Sequence, residues 1–210
     1  MRFCELTLSK MKLYFVRHGE SEANTRHVIS NRESPFGLTE LGKQQARILA
    51  EHLKNVPFTA LYSSPILRAR ETTEILSQLF HLHYQVTEAL REYDCGILEE
   101  KSDEESWRLH REFYDSWTLH HHHSNKPEGG ECFVDIKNRF LPFINSLERD
   151  GDDHILLIGH GGLFHLMLPL VLANIEDDFV RTHWIGHTEC IIGELHADGF
   201  VCRQWGDIQL

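Results

Sequence analysis

The sequence predicts an α/β fold in which a mostly parallel, doubly wound sheet is flanked by helices. Two observations carry that prediction. Three short runs of apolar, aromatic and β-branched residues, Lys12 to Val16, Thr59 to Ser63 and His154 to Ile158, read as strands buried on both faces. Each is followed by a stretch of helical periodicity, and strands alternating with helices build parallel sheets that bind ligands beyond the strands' carboxyl ends.

In chain order, residues 1–11 read as an N-terminal extension, with Met11 directly before the first strand and an alternative start. The first long helix carries Leu41, Ile48, Leu49, His52 and Leu53, with Thr39 as N-cap and Pro57 beyond its end. After the second strand, Ser64 and Pro65 supply an N-cap and an N1 proline ahead of Ile75, Leu76, Leu79 and Phe80. Residues 103–117 open with Asp103, Glu104 and Glu105, which suit a helix N-terminus, and put Trp107, His110, Tyr114 and Trp117 on one face. Residues 132–147 gather Phe133, Ile136, Phe140, Phe143, Ile144 and Leu147 on one face, with Pro142 predicting a kink. His120 to Gly130 reads as a loop, and Leu163 to Ala173 as an apolar helix after the last of the three strands. Neither a repeat nor a linker divides the chain, so residues 12–210 are expected to form one domain.

The 210 residues carry a formal net charge of −11, which repels a polyanion such as nucleic acid, and no basic stripe offsets it. A phosphate ligand must then be held by a local cationic pocket. Five cysteines (Cys4, Cys95, Cys132, Cys190 and Cys202) are odd in number and form no Cys-x-x-Cys pair, which fits a reducing cytoplasm better than a disulfide framework or thiolate zinc site. The most apolar stretch, Leu163 to Ala173, is short and broken by His165 and Pro169, so no membrane span or signal peptide is expected.

The chemistry gathers at strand ends. Arg17-His18-Gly19-Glu20-Ser21 ends the first strand, where side chains and freed amides point into the crevice. Ser63-Ser64-Pro65 leads to Arg68 in the first turn of a helix, where a cation opposes the dipole and an anionic ligand would explain it. Arg70 reads as a surface residue. Gly159-His160-Gly161-Gly162 ends the third strand, its glycines allowing close backbone approach to a ligand. Arg17, His18, Arg68 and His160 thus converge on one edge of the sheet.

These segments, with Asn24, Leu38 to Gly42, Leu90-Arg91-Glu92 and Gly129-Gly130-Glu131, occur in the order found in the histidine phosphatase superfamily, branch 1, which the chain resembles from Leu13 to about Ile192. The resemblance implies a phosphoglycerate-mutase-like, three-layer α/β/α fold and a phosphatase acting on a small phosphorylated metabolite. It implies that His18 is the nucleophile, that Arg17, Arg68 and His160 clamp the phosphoryl oxygens, and that Glu92 is the proton donor. Asp94 and Glu99 stand as fallback acids. Ser21 and Asn24 are expected to donate to the phosphate, Gly161 to approach it through its backbone, and Glu20 to organise the loop.

Elementary chemistry agrees. An imidazole titrates near 6.5, so a neutral, nucleophilic His18 costs little at neutral pH. Phosphoryl transfer asks for positioning and for charge on three equatorial oxygens, which two arginine forks and a histidine can supply with no metal and no cofactor.

Three features depart from the family pattern. Where the family often has Gly-x-x-Glu-Gly, Gly96-Ile97-Leu98-Glu99 is followed by Glu100, so the backbone is expected to turn differently. His187 precedes Cys190 where many relatives carry an asparagine. The segment from Glu92 to Gly129 is short and poor in arginine, which favours hydrolysis over the mutase reaction, although Arg108 and Arg111 keep a phosphoglycerate-mutase-like phosphotransferase open. A non-catalytic phospho-ligand-binding module is a third reading. His120 to His123 cannot all face one ion, so no metal site is expected; a lid-like insertion at about 96–130 is, with Trp117 and these histidines against the substrate's organic part. A homodimer is left open.

Overall fold

The computed structural model describes residues 11–32, 35–147 and 153–210, so residues 1–10 of the expected extension lie outside the described part. In chain order it contains β1 (Lys12–Arg17), α1 (Glu22–Thr25), α2 (Glu40–Leu53), β2 (Ala60–Ser63), α3 (Leu67–Phe80), β3 (Tyr84–Val86), α4 (Glu104–Thr118), α5 (Phe133–Ser146), β4 (His154–Gly159), α6 (Gly161–Met167), α7 (Asp177–Thr182), β5 (Cys190–His196), β6 (Gly199–Trp205) and β7 (Ile208–Gln209). The strands form one sheet in the order β3-β2-β4-β1-β5-β6-β7. The first four of these are parallel; β5, β6 and β7 add an antiparallel meander beyond β1.

The period of two in β1 and β4 sorts their side chains between two cores. Leu13, Phe15, Ile155 and Leu157 face a core shared with Ile136 and Phe140 of α5 and Leu163 and Phe164 of α6. Tyr14, Val16, Leu156 and Ile158 face a second core with Leu49 and Ala50 of α2 and Ala69 and Leu76 of α3. Helices on both faces of a central sheet make the three layers the sequence predicts. Met11, which the sequence assigned to the extension, is fully buried in the first of these cores. Trp117 joins the same core from α4, and truncating it to alanine would cost about 3–5 kcal/mol.

Helix limits differ from expectation for local reasons. Thr39 caps α2 by accepting from the Gly42 amide, as its spacing predicts, yet Leu41 and Ile48 are half-exposed because Ala46, Leu49 and Ala50 form the buried stripe. Ser64 accepts from the Ile66 amide and Pro65 lies in the turn, so α3 starts at Leu67 with Ile66 as N-cap. Pro142 lies inside α5, which continues through it. The apolar helix expected to reach Ala173 stops at Met167 and passes into a 3-10 turn over Leu168–Leu170, where Pro169 has no amide to continue it. The meander was not foreseen because β5 and β6, with polar Glu194, His196, Arg203 and Gln204, lack the continuous apolar run of the central strands.

Glu100 stands where the family often has glycine. Its φ of +65° is left-handed, the region that glycine favours, so the chain takes a glycine-type turn here with a glutamate in it. The turn is held by backbone bonds from Glu100 N to Ile29 O and from Ile29 N to Lys101 O. The Glu100 side chain is exposed, so Glu100→Gly, which removes the Cβ penalty of this conformation, is expected to raise stability by about 1 kcal/mol. Urea denaturation midpoints check this, and an unchanged or lower midpoint would contradict it.

Candidate active site

Three strand ends meet in one crevice. Arg17 stands opposite Gly159 in the β1–β4 register, and the His18 amide donates to Gly159 O at 3.0 Å. β2 pairs with the other side of β4, so the turn after Ser63 delivers Arg68 as the second residue of α3. His160 follows β4 as the N-cap of α6. The loop bearing His18 is seated on α2 by close backbone contact: a Cβ on Gly19 would lie 2.5 Å from Gly42 O, and one on Gly42 would lie 2.0 Å from Glu20 O. Glu20 organises this loop by accepting from the Thr39 hydroxyl at 2.7 Å.

His18 is held in one tautomer. Its Nδ1 lies 2.7 Å from Gly19 O, and a carbonyl only accepts, so Nδ1 carries the proton. Nε2 therefore keeps its lone pair, and Arg68 Nε donates to it at 2.9 Å. Burial, then the charges of Arg68, His160 and Arg17, hold the imidazole well below its usual pKa despite the bond to Gly19. The side chain is neutral at physiological pH, with its nucleophilic nitrogen turned towards a guanidinium.

The rest of the Arg68 head is fully engaged. Nη1 donates to Ser30 O at 2.5 Å, and Nη2 lies 3.4 Å from Asn31 Oδ1 and 3.3 Å from His160 Nδ1. His160 Nε2 is 2.7 Å from Ser64 Oγ. Burial, then the charges of Arg68 and Arg17, keep His160 neutral as well. Burial also brings Arg68 down to about 10, which leaves it charged at neutral pH. Arg17 donates from Nη1 to Ile185 O at 2.7 Å, while its Nε is buried with no partner among the described residues. An orphaned cationic N–H carries a desolvation cost that an anion would relieve.

Glu92 lies across the cavity from these cations. Oε1 accepts from the Tyr93 amide at 3.1 Å and Oε2 from the Gly162 amide at 2.9 Å. Burial raises its pKa, opposed by these two amides and by Arg68. A side chain at position 162 would bring a Cβ within 2.9 Å of Oε2 and 2.6 Å of Tyr93, so the glycine after Gly161 gives the carboxyl group its place. Tyr93 in turn is anchored through the next residues, because Glu131 accepts from the Asp94 amide and pairs with Arg139.

The structure brings Arg17, His18, Asn24, Arg68, Glu92 and Gly161 to the wall of one cavity of about 150 Å³. His160 is behind that wall and reaches it through Arg68. Ser21 does not line it: its hydroxyl donates to Asn24 Oδ1 at 2.8 Å, which turns that oxygen inward and makes Ser21 a support for Asn24. Asp94 pairs with Arg32, and Glu99 accepts from the Asn31 and Cys95 amides, so neither fallback acid lines the cavity.

Three expectations for the insertion are corrected. Trp117 is 1% exposed, with its indole donating to Asn125 O, and is spent on the core. His121 and His123 line a separate cavity of about 270 Å³ with Trp117, because His123 stacks on Phe133 at 4.4 Å and draws the loop away from the crevice. Arg108 pairs with Glu105 and Glu112 on the outer face of α4, and Arg111 is exposed beside it, so neither enters the crevice. Among the described residues no cluster of three or more metal-ligating side chains occurs, and no helix is long and apolar enough to cross a membrane.

Other residues of the site were not foreseen. His187 Nε2 lies 3.2 Å from both Arg17 Nη2 and Asn24 Oδ1, and its ring centroid is 6.0 Å from that of His18. Burial, then Arg17, lowers its pKa to about 4, so it is neutral. Its only sequence signal is that it replaces the relatives' asparagine. Trp107 and His110 of α4, and Trp184 after α7, line the mouth.

Residues 13–208 match the family model described as the histidine phosphatase superfamily (branch 1). A probable phosphoglycerate mutase GpmB of Proteus mirabilis is 32% identical over 175 residues, 78% of this chain and 75% of the relative. A putative phosphoserine phosphatase 2 of Hydrogenobacter thermophilus is 29% identical over 188 residues, 90% of each chain. The solved structure of Bacillus stearothermophilus YhfR superposes with a TM-score of 0.80 at 28% identity, covering 95% of this chain and 98% of that one.

Proposed function

The chain belongs to branch 1 of the histidine phosphatase superfamily, an enzyme family, and from that premise we propose that it hydrolyses a small phosphate monoester, without a metal, through a phosphohistidine on His18. The observation that carries the proposal is the geometry of the crevice: the Gly19 carbonyl holds the proton of His18 on Nδ1, so Nε2 presents its lone pair beside Arg68 in the cavity that the buried Glu92 also lines.

In the first half-reaction the Nε2 lone pair attacks phosphorus and the ester P–O bond breaks. The phosphoryl group takes over the Arg68 donor that now caps Nε2, and the arginines hold charge on the equatorial oxygens. Glu92 gives its proton to the departing alkoxide. In the second half, a water oxygen attacks the phosphohistidine, its proton passes to the Glu92 carboxylate, and the P–N bond breaks to release inorganic phosphate. His160 positions Arg68, and Asn24 and Gly161 flank the phosphoryl group.

A phosphotransferase reading of the mutase kind needs a second site for anionic groups of the substrate. Among the described residues the cations lining the cavity are Arg17 and Arg68, both committed to the first phosphate, and hydrolysis is favoured for that reason. The test is phosphate release from a panel of phosphomonoesters with a chelator present. Release that persists under chelation and needs no bisphosphorylated primer is expected; dependence on either a metal or a primer would overturn the proposal.

A further inference from the structure

Resting on the phosphatase reading, we infer that the preferred leaving group is a flat, uncharged aromatic alcohol seated against Trp184 and Trp107, and that this site rejects esters carrying a second anion. A cavity of about 150 Å³ has room for roughly five water-sized groups, and a phosphate group with its four oxygens fills most of it. The organic part must then lie at the mouth. Beyond Arg17, the partly exposed residues of its lining are Asn24, Val28, Trp107, His110 and Trp184, and they form that rim.

The rim offers ring faces and no net charge. Trp184 is 54% exposed, an unusual state for so large an apolar ring, and it is braced from behind by His165 at 4.4 Å between centroids. Trp107 is fixed by its indole N–H, which donates to His27 O at 2.7 Å. His110 stacks on Tyr93 at 5.6 Å, and burial, then Arg111, lowers its pKa to about 4, so it presents a neutral ring. A pre-ordered aromatic rim gains stacking energy from a planar group at little entropic cost. A carboxylate or second phosphate there would lose its water and find Arg17 and Arg68 taken by the first phosphate, while Glu92 lines the same cavity. Arg111, whose charge acts on His110, lies on the exposed side of α4 and does not line the cavity.

Four esters with primary alkoxide leaving groups separate these properties: benzyl, cyclohexylmethyl and ethyl phosphate, and phosphoglycolate. The expected order in kcat/KM is benzyl first, about five- to tenfold above cyclohexylmethyl, then ethyl, with phosphoglycolate last. Trp184→Ala is expected to reduce the benzyl-to-cyclohexylmethyl ratio at least threefold, mainly through KM, and Trp184→Phe to restore it. Equal rates for benzyl and cyclohexylmethyl phosphate would overturn the aromatic assignment. Phosphoglycolate at or above benzyl phosphate, falling in Arg111→Ala, would overturn the exclusion of a second anion. A ratio unmoved in both Trp184→Ala and Trp107→Ala would overturn the location. Failure to release phosphate from any of the four would instead sink the phosphatase reading, and this inference with it.

Discussion

His18→Ala is expected to lower kcat by about 10⁴- to 10⁶-fold, the range seen when a catalytic nucleophile is deleted. Among the described residues the other histidine lining the cavity, His110, is engaged through Nε2 with the Tyr93 hydroxyl. His160 is also neutral, but both of its nitrogens are engaged, one with Arg68 and the other with Ser64. His187 is tied to Arg17 and Asn24. The loss should fall on kcat, with phosphate affinity largely kept, because the guanidinium groups of Arg17 and Arg68 stay in place. Circular dichroism and phosphate binding confirm that the variant is folded, and turnover within tenfold of wild type would contradict the assignment.

Glu92→Gln is expected to lower kcat by about 10²- to 10⁴-fold for alkyl esters. The amide keeps the shape, but its single oxygen can accept from only one of the Tyr93 and Gly162 amides, and it cannot deliver a proton. The loss in the phosphorylation step should shrink as the leaving alcohol becomes more acidic, since a stable phenolate needs no protonation. The pH dependence follows from the same group. Burial raises the Glu92 pKa, so the protonated acid persists above the usual 4.5 and is lost as pH rises through the shifted value. The His18 pKa is lowered, so its neutral form is present down to well below 6.5. Wild-type kcat/KM should therefore fall on the alkaline side through Glu92, and Glu92→Gln should flatten that limb. An unchanged limb in the variant would assign it to another group.

The central sheet and the meeting of Arg17, His18 and Arg68 in one crevice were legible because each part is a local pattern. A buried parallel strand is a continuous apolar run, and His18, Arg68 and His160 each follow such a run within a few residues. Thr39 caps its helix as its spacing predicts. What was not legible depends on contacts between distant segments. Trp184 and His187 sit in a connection after α7 with no periodicity of its own, and only the packing of that connection over β1 places them beside Arg17. Trp117 and Trp107 share one helix face by spacing, yet one fills the core and the other reaches the mouth. Ser21 and Asn24 are equally polar and three residues apart, and the hydrogen bond between them decides which one meets the cavity.

The phosphohistidine is the point on which the mechanism stands. The enzyme is denatured in alkaline detergent during turnover of an ester carrying a radiolabelled phosphoryl group, and the bound label is mapped. The account predicts label on the peptide containing His18, stable to alkali and lost in acid, and absent in His18→Ala. Turnover at a normal rate with no protein-bound label, or with label elsewhere in the chain, would contradict it.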